Sequence, residues 1–459
     1  KEHFVAFMRR FIAYLRCRLR VGNDVIESTP SFVKDANTKA SLDYRGLMKC
    51  VDRLRMLVTE CRVENIQAYR SIFAVADIAC LAMNNFCGFN VVIEDQKART
   101  LSLLCLDPSI AMRPILSQFK SVTITSGTLS PISTYVRLLG FQPVITNSFT
   151  ATLTRHSICP LIVARPSNQL SGPGIASALT CRFESRGDVS IVQQYGYLVL
   201  EMCETVPDGI VCFFTSYMLM ESMIKAWISA DIMCRILPHK LFFMESSGDG
   251  RETAAALRNY KKAVSAGRGA IFFCVARGRV AEGVDFTGHY GRCAILIGVP
   301  YQYTKSTALH CRLQYIREKF NISEGEFLTF DAMRHAAQCA GRVMRNKFDY
   351  GLMIFADSRF AKYDKRRKLP KWILEKLNGA HVNVSVSEAT FIAKAWLEQM
   401  AQPHQELMGH SILTEEHLTQ KYYLEKLQNG WGMNDDKSNV VKKRGPLTKH
   451  YRQLKCKIA

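Results

Sequence analysis

From residue 209 onward, five apolar segments alternate with helical patterns: GIVCFFTS (209–216), KLFFMES (240–246), AIFFCVA (270–276), CAILIGVP (293–300) and GLMIFAD (351–357). Their apolar residues run almost unbroken instead of occupying every second position, so each strand must be covered on both faces. Between them, apolar residues recur at helical spacing after Tyr217, after Asp249 and twice after Pro300. Strand, helix and strand repeated in this way specify an α/β domain with a parallel sheet and helices on both sides. Ligands are then expected beyond the carboxyl ends of the strands. Those ends carry Thr215, Ser216 and Tyr217 after the first strand, and Asp357 with Arg359 after the last. The third runs into ARGRVAEGVDF (276–286), whose glycines allow backbone N–H groups to approach a phosphate or ribose.

Upstream of this domain the period changes twice. Phe4, Met8, Phe11, Ile12, Leu15 and Leu19 follow helical spacing, and helical patterns continue to about Asn85. FNVVIED (89–95), TLSLLCLD (100–107) and SVTITSGT (121–128) then predict short β segments, and PLIVARP (160–166) a further apolar run. The Gly/Pro/Ser-rich stretch 167–177 predicts a surface loop. Residues 437–459 hold eight Lys or Arg and no acid, which predicts a basic tail that binds anions or serves as a nuclear address.

Composition narrows the partners. Lys and Arg number 61 against 40 Asp and Glu, a net charge of +21, which favours a polyanion such as nucleic acid over an acidic small molecule. The 16 cysteines are scattered without a C-x-x-C, so no zinc site is expected, and free thiols fit a reducing compartment. The apolar run from Ser71 to Ile93 is broken by Asp77, Asn84 and Asn85, so no membrane span is expected. The chain starts at Lys1, directly in a helical pattern, and reads as a fragment.

The stretch DAMRHAAQCAGRVMRNK (331–347) gathers charge that its own sequence does not neutralise. At 3.6 residues per turn, Arg334, Gln338, Gly341, Arg342 and Arg345 share one face, and no acid within the helix lies four residues from Arg342 or Arg345. Gly341, costly in a helix interior, predicts that something approaches closely there. Guanidinium is permanently charged and donates two parallel hydrogen bonds, so an uncompensated arginine pair suits phosphate. Pairing with acids distant in sequence is the plainer alternative. His335 and His289 read as structural hydrogen-bonders. The chain contains no G-x-x-x-x-G-K-[ST] loop and no Asp-Glu dipeptide, so the nucleotide's phosphate cradle and Mg²⁺ acids are expected elsewhere.

Taken together, EHFVAFMRRFIAYLRCRLRV (2–21), CLDPSIAMRPILSQFKSVTITSGTLSP (105–131), VPDGIVCFFTSYMLMES (206–222), ARGRVAEGVDF, FLTFDAMRHAAQCAGRVMRNKFDYGLMIFADSRF (327–360) and DKRRKLPKWI (364–373) resemble the XPD family of superfamily 2 DNA helicases, the helicase subunit of TFIIH. The resemblance implies a RecA-like parallel-sheet motor domain preceded by a helical, arch-type segment. Residues 1–86 would be the remainder of the arch and 87–150 the C-terminal strands of the first motor domain. Residues 151–402 would be the second motor domain, 403–436 a helical segment and 437–459 the basic tail. Thr125, Ser126, Gly127 and Thr128 would couple nucleotide state to the DNA path. Thr215, Ser216, Tyr217 and Arg277 would lie near DNA, and Gly283, Asp285 and Gly341 near the nucleotide. Gln338, Arg342 and Arg345 would face ATP, with Arg342 as the arginine finger.

By the same resemblance the complete protein is expected to be a nuclear, ATP- and Mg²⁺-dependent 5′ to 3′ DNA helicase. It would act on single-stranded or forked DNA within TFIIH, in nucleotide-excision repair and transcription. A 4Fe–4S cluster would belong to an upstream region, and without that region ATP hydrolysis by this chain alone is not expected. The alternatives are a non-catalytic DNA-binding or scaffold subunit and a related iron–sulfur helicase of replication or crosslink repair.

Overall fold

Ten strands build two sheets in the computed structural model, which describes residues 2–20, 22, 24–40, 44–61, 66–84, 87–95, 99–149, 156–167, 178–248, 250–346 and 348–401. The smaller sheet joins β1 (Val25–Ser28), β2 (Phe89–Asp95) and β3 (Arg99–Cys105), all antiparallel. The larger comprises β4 (Ile158–Arg165), β5 (Gly209–Phe214), β6 (Leu241–Met244), β7 (Ala270–Val275), β8 (Cys293–Ile297), β9 (Gly351–Ala356) and β10 (Val382–Ser385). It is parallel throughout, in the order β10-β4-β9-β8-β5-β7-β6.

All five apolar segments are strands of this sheet, and β5, β7, β8 and β9 are buried at every position. Alternate side chains feed two separate cores. Ile210, Cys212, Phe214 and Phe273 pack under helices Val189–Thr205, Tyr217–Ser229 and Val386–Ala401, whereas Val211, Phe213 and Phe272 pack under Gly250–Ser265 and Glu324–Ala340. A strand apolar on both faces thus acquires a helix on each.

The N-terminal helices Glu2–Arg20, Thr29–Ala40, Tyr44–Glu60 and Arg70–Asn84 enclose their own core around Phe11, Phe32 and Met83. β2 pairs with β1 residue for residue from Val25↔Ile93 to Ser28↔Asn90, so segments on either side of residues 86 and 87 share one sheet. Thr29 ties the same junction by donating from Oγ1 to the Phe89 carbonyl at 2.6 Å. Val92 and Leu106 then pack on Cys311 of helix Thr307–Phe320, which docks this unit on the α/β domain.

One expectation changes. SVTITSGT forms no strand, and Val122 and Ile124 are 37% and 42% exposed. An alternating segment needs a neighbouring strand edge to complete its ladder, and no described residue supplies one. Residues 168–177 of the predicted loop, and everything from 402 on, including the 403–436 segment and the basic tail, lie outside the described residues.

Candidate functional site

The helix carrying the arginines begins at Ser323, whose side chain accepts from Glu326 N, and ends at Ala340, earlier than the periodicity predicts. A short 3₁₀ turn, Gly341–Val343, follows and Met344 is already extended. The reason is packing. Val343 is fully buried against Gly291 and Gly351, at the amino ends of β8 and β9, so the chain must leave the helical path to enter β9. Gly341 is therefore a helix-end residue. A Cβ there would meet only the Trp372 ring, at 3.9 Å, so the close approach expected at this glycine is absent among the described residues.

Arg342 and Arg345 are not uncompensated, which corrects the sequence reading. Arg342 Nη1 lies 3.0 Å and Arg345 Nη2 2.6 Å from the same oxygen, Oδ1 of Asp285. Arg342 also donates to the Glu282 carbonyl at 2.9 Å, and its own carbonyl accepts from Phe286 N at 3.1 Å. The counter-ion comes from the glycine loop, 57 residues away, where an i±4 search does not reach. Asp349 is four residues from Arg345, but its carboxylate caps the turn: Oδ2 accepts from Arg345 N and Asn346 N, and Oδ1 from Gly288 N. Two guanidinium charges thus share one carboxylate, half of which is exposed, and the buried Nε of Arg342 has no protein partner. The pair sits where the helix has run back toward the amino ends of the strands, not at the carboxyl ends anticipated for ligands.

Arg277, expected near DNA, is engaged within the domain. Its guanidinium donates to Asp331 Oδ2 at 2.6 Å and to the Pro300 carbonyl at 2.8 Å, and its Nη1 lies 3.2 Å from His335 Nε2. Gln302 and Arg334 donate to the two oxygens of Asp331, at 2.7 and 3.0 Å. Burial alone would raise the Asp331 pKa. The bond with His335, the charges of Arg277 and His335 and the Gln302 amide outweigh it and hold the carboxyl well below the usual range. His335 is a structural member of this network, with Nδ1 2.9 Å from the Asp331 carbonyl. Arg334, read as part of the free stripe, is paired locally.

Glu245, at the end of β6, is a residue that the sequence reading missed. Only 2% exposed, it accepts from Val275 N at 3.0 Å and Val280 N at 3.3 Å, and so pins both ends of the first glycine turn. A Cβ at Gly278 would lie 2.6 Å from its Oε2, which is why glycine stands there. Tyr217 shares this carboxylate, and burial together with that hydrogen bond pushes its hydroxyl up to about 12. The signal available in sequence was an acid closing an apolar strand. Ser216 caps helix Tyr217–Ser229 by accepting from Leu219 N, and Thr215 Oγ1 is buried without a protein partner.

The remaining predicted residues divide. Gln338 lies in the last turn of the helix, just before the 3₁₀ turn that carries Arg342, and a Cβ at Gly283 would meet nothing within 4 Å, so the loop backbone is open beside Asp285. Thr125, Ser126, Gly127 and Thr128 lie in a largely exposed segment, where Trp372 Nε1 donates to the Gly127 carbonyl at 2.8 Å. Among the described residues no three His, Cys, Asp or Glu side chains converge to hold a metal, and no helix is long and apolar enough to cross a membrane.

The Helicase C-terminal domain family matches residues 199–376, which include the glycine loop, the Asp331 network and the arginine turn, and the Helical and beta-bridge domain family matches residues 1–88. The general transcription and DNA repair factor IIH helicase subunit XPD of Arabidopsis thaliana is 46% identical over 91% of this chain and 55% of that protein. This chain belongs to the XPD helicase family. The XPD subunit of Dictyostelium discoideum is 42% identical over 91% of the chain and 54% of that protein. A regulator of telomere elongation helicase 1 homolog from Drosophila willistoni is 30% identical over 61% of the chain and 28% of that protein. The chain spans about half the length of the curated XPD relatives it matches.

Proposed function

We propose that this chain provides the second RecA-like motor domain of an ATP-dependent 5′ to 3′ DNA helicase, and that Arg342 and Arg345 are its contribution to the nucleotide site. The observation that carries this reading is the pair of guanidiniums held on one half-exposed carboxylate oxygen, with the buried Nε of Arg342 left over. That excess of donors and positive charge fits a triphosphate. Asp285 serves as a resting counter-ion, which the arginines exchange for phosphate oxygens when ATP is presented by a facing motor domain. There Arg342 stabilises charge developing in phosphoryl transfer, an effect worth a factor of about 10³ or more in rate. Gln338 and the open backbone at Gly283 complete the rim, and Gly341 leaves the turn uncrowded. Mg²⁺, held by acids outside this site, would supply charge neutralisation.

On this reading residues 1–86 belong to the arch, 87–150 to the C-terminal part of the first motor domain, and 151–402 form the second. Thr125 to Thr128, Thr215, Ser216 and Tyr217 face the DNA side, whereas Arg277 acts through Asp331 to hold the loop. The 40 to 46% identity to XPD subunits, against 30% to the telomere-elongation helicase homologs, favours a nuclear TFIIH subunit acting in excision repair and transcription. An iron–sulfur cluster, where present, belongs to another region of the complete protein. The test is strand separation by that protein on duplexes with a single 5′ or 3′ tail. ATP-dependent unwinding from the 5′ tail is expected. A protein that binds both substrates but hydrolyses no ATP would establish the scaffold reading instead.

A further inference from the structure

The exposed segment around Gly127 has no strand ladder, yet one aromatic donor ties it to the α/β domain and a second braces it locally. Trp372 Nε1 donates to the Gly127 carbonyl at 2.8 Å, and Tyr135 OH to the Thr128 carbonyl at 3.3 Å. The six-membered ring of the same indole lies against the arginine turn, its Cζ2 and Cη2 each 3.9 Å from the place of a Gly341 Cβ. Leu369 and Ile373 on either side of it are fully buried and the half-buried Trp372 ring packs on the same core, so the indole is held between the Gly127 carbonyl and the turn. We infer that Trp372 is a positioning residue, a rigid lever that joins the Gly127 carbonyl to the turn presenting Arg342. Displacing the carbonyl by about 1 Å either breaks a bond of this length or tilts the indole toward Gly341. The next residue is Arg342, whose hold on Asp285 depends on that turn. Tyr135 supports the same segment and stacks edge-on against Phe330 of the arginine helix, with ring centroids 5.2 Å apart.

This inference rests on the motor reading above, and it is tested in the complete protein by ATP turnover with and without a single-stranded oligonucleotide. Trp372→Phe keeps a ring beside Gly341 and removes the donor. The ratio of DNA-stimulated to basal turnover is expected to fall about 5-fold, with a smaller shift in KM for ATP. Tyr135→Phe, which loses the longer bond, is expected to lower the ratio less. An unchanged ratio in Trp372→Phe, or an equal fall in basal and stimulated rates, overturns the lever. Absence of any DNA-stimulated turnover in the unsubstituted protein overturns the motor reading and the lever with it, and so separates the two failures.

Discussion

Arg342 and Asp285, 57 residues apart in sequence, meet at 3.0 Å through Nη1 and Oδ1, and Arg345 joins them on the same oxygen. A carboxylate in that position competes with any phosphate for the two guanidiniums. Asp285 is 49% exposed, so the pairing contributes no more than about 1 kcal/mol to stability. Asp285→Asn in the complete protein is expected to tighten ATP binding by up to about 5-fold, the same energy read as affinity. Titration with a fluorescent ATP analogue checks this. Weaker binding would mean that Asp285 contacts the nucleotide itself.

Gly341 lies at φ −69° and ψ −8°, a conformation open to any residue, with room for a methyl group. Gly341→Ala is expected to raise stability by about 0.4–1 kcal/mol through a less flexible unfolded chain. Denaturant unfolding measures it. A clear loss would restore the close approach that the sequence suggested.

Asp331 is the hub of a buried network, and its carboxyl is held well below the usual range by His335, Arg277 and Gln302 against the cost of burial. Replacing it with Asn leaves Arg277 without its counter-charge and is expected to cost about 3–5 kcal/mol at pH 7. A depressed folded-state pKa gives stability that is complete above the unfolded value, about 3.9, and is lost as pH falls toward the folded one. The difference in melting temperature between Asp331→Asn and the unsubstituted protein should therefore hold from pH 7 to about 5 and narrow below about pH 4.

Glu245 and Gly278 leave no space between them. Gly278→Ala sets a methyl group 2.6 Å from a buried carboxylate oxygen that also accepts from two backbone N–H groups, so neither partner yields cheaply. A loss of about 1–3 kcal/mol is expected in chemical unfolding. Near-neutral behaviour would show that the carboxylate can move.

The parallel sheet was legible because five strands, four of them buried at every position, cannot disguise their apolar runs. The smaller sheet was not, since the pairing of Val25 with Ile93 joins segments that local pattern treats separately. SVTITSGT carries a strand's alternation without a strand's neighbour. Around the site, residue types were readable and their partners were not: Asp285 meets Arg342, and Arg277 meets Asp331, only after the loops fold back. The helix end at Ala340 was hidden for a similar reason, because burial of Val343 against β8 and β9 overrides helical periodicity.

The central claim is that Arg342 serves phosphoryl transfer and not DNA binding. The most direct measurement compares Arg342→Ala with the unsubstituted complete protein for single-turnover ATP hydrolysis and for affinity to a single-stranded oligonucleotide. Hydrolysis lower by about 10³-fold or more is expected, with DNA affinity nearly unchanged. Hydrolysis at the unsubstituted rate would contradict it.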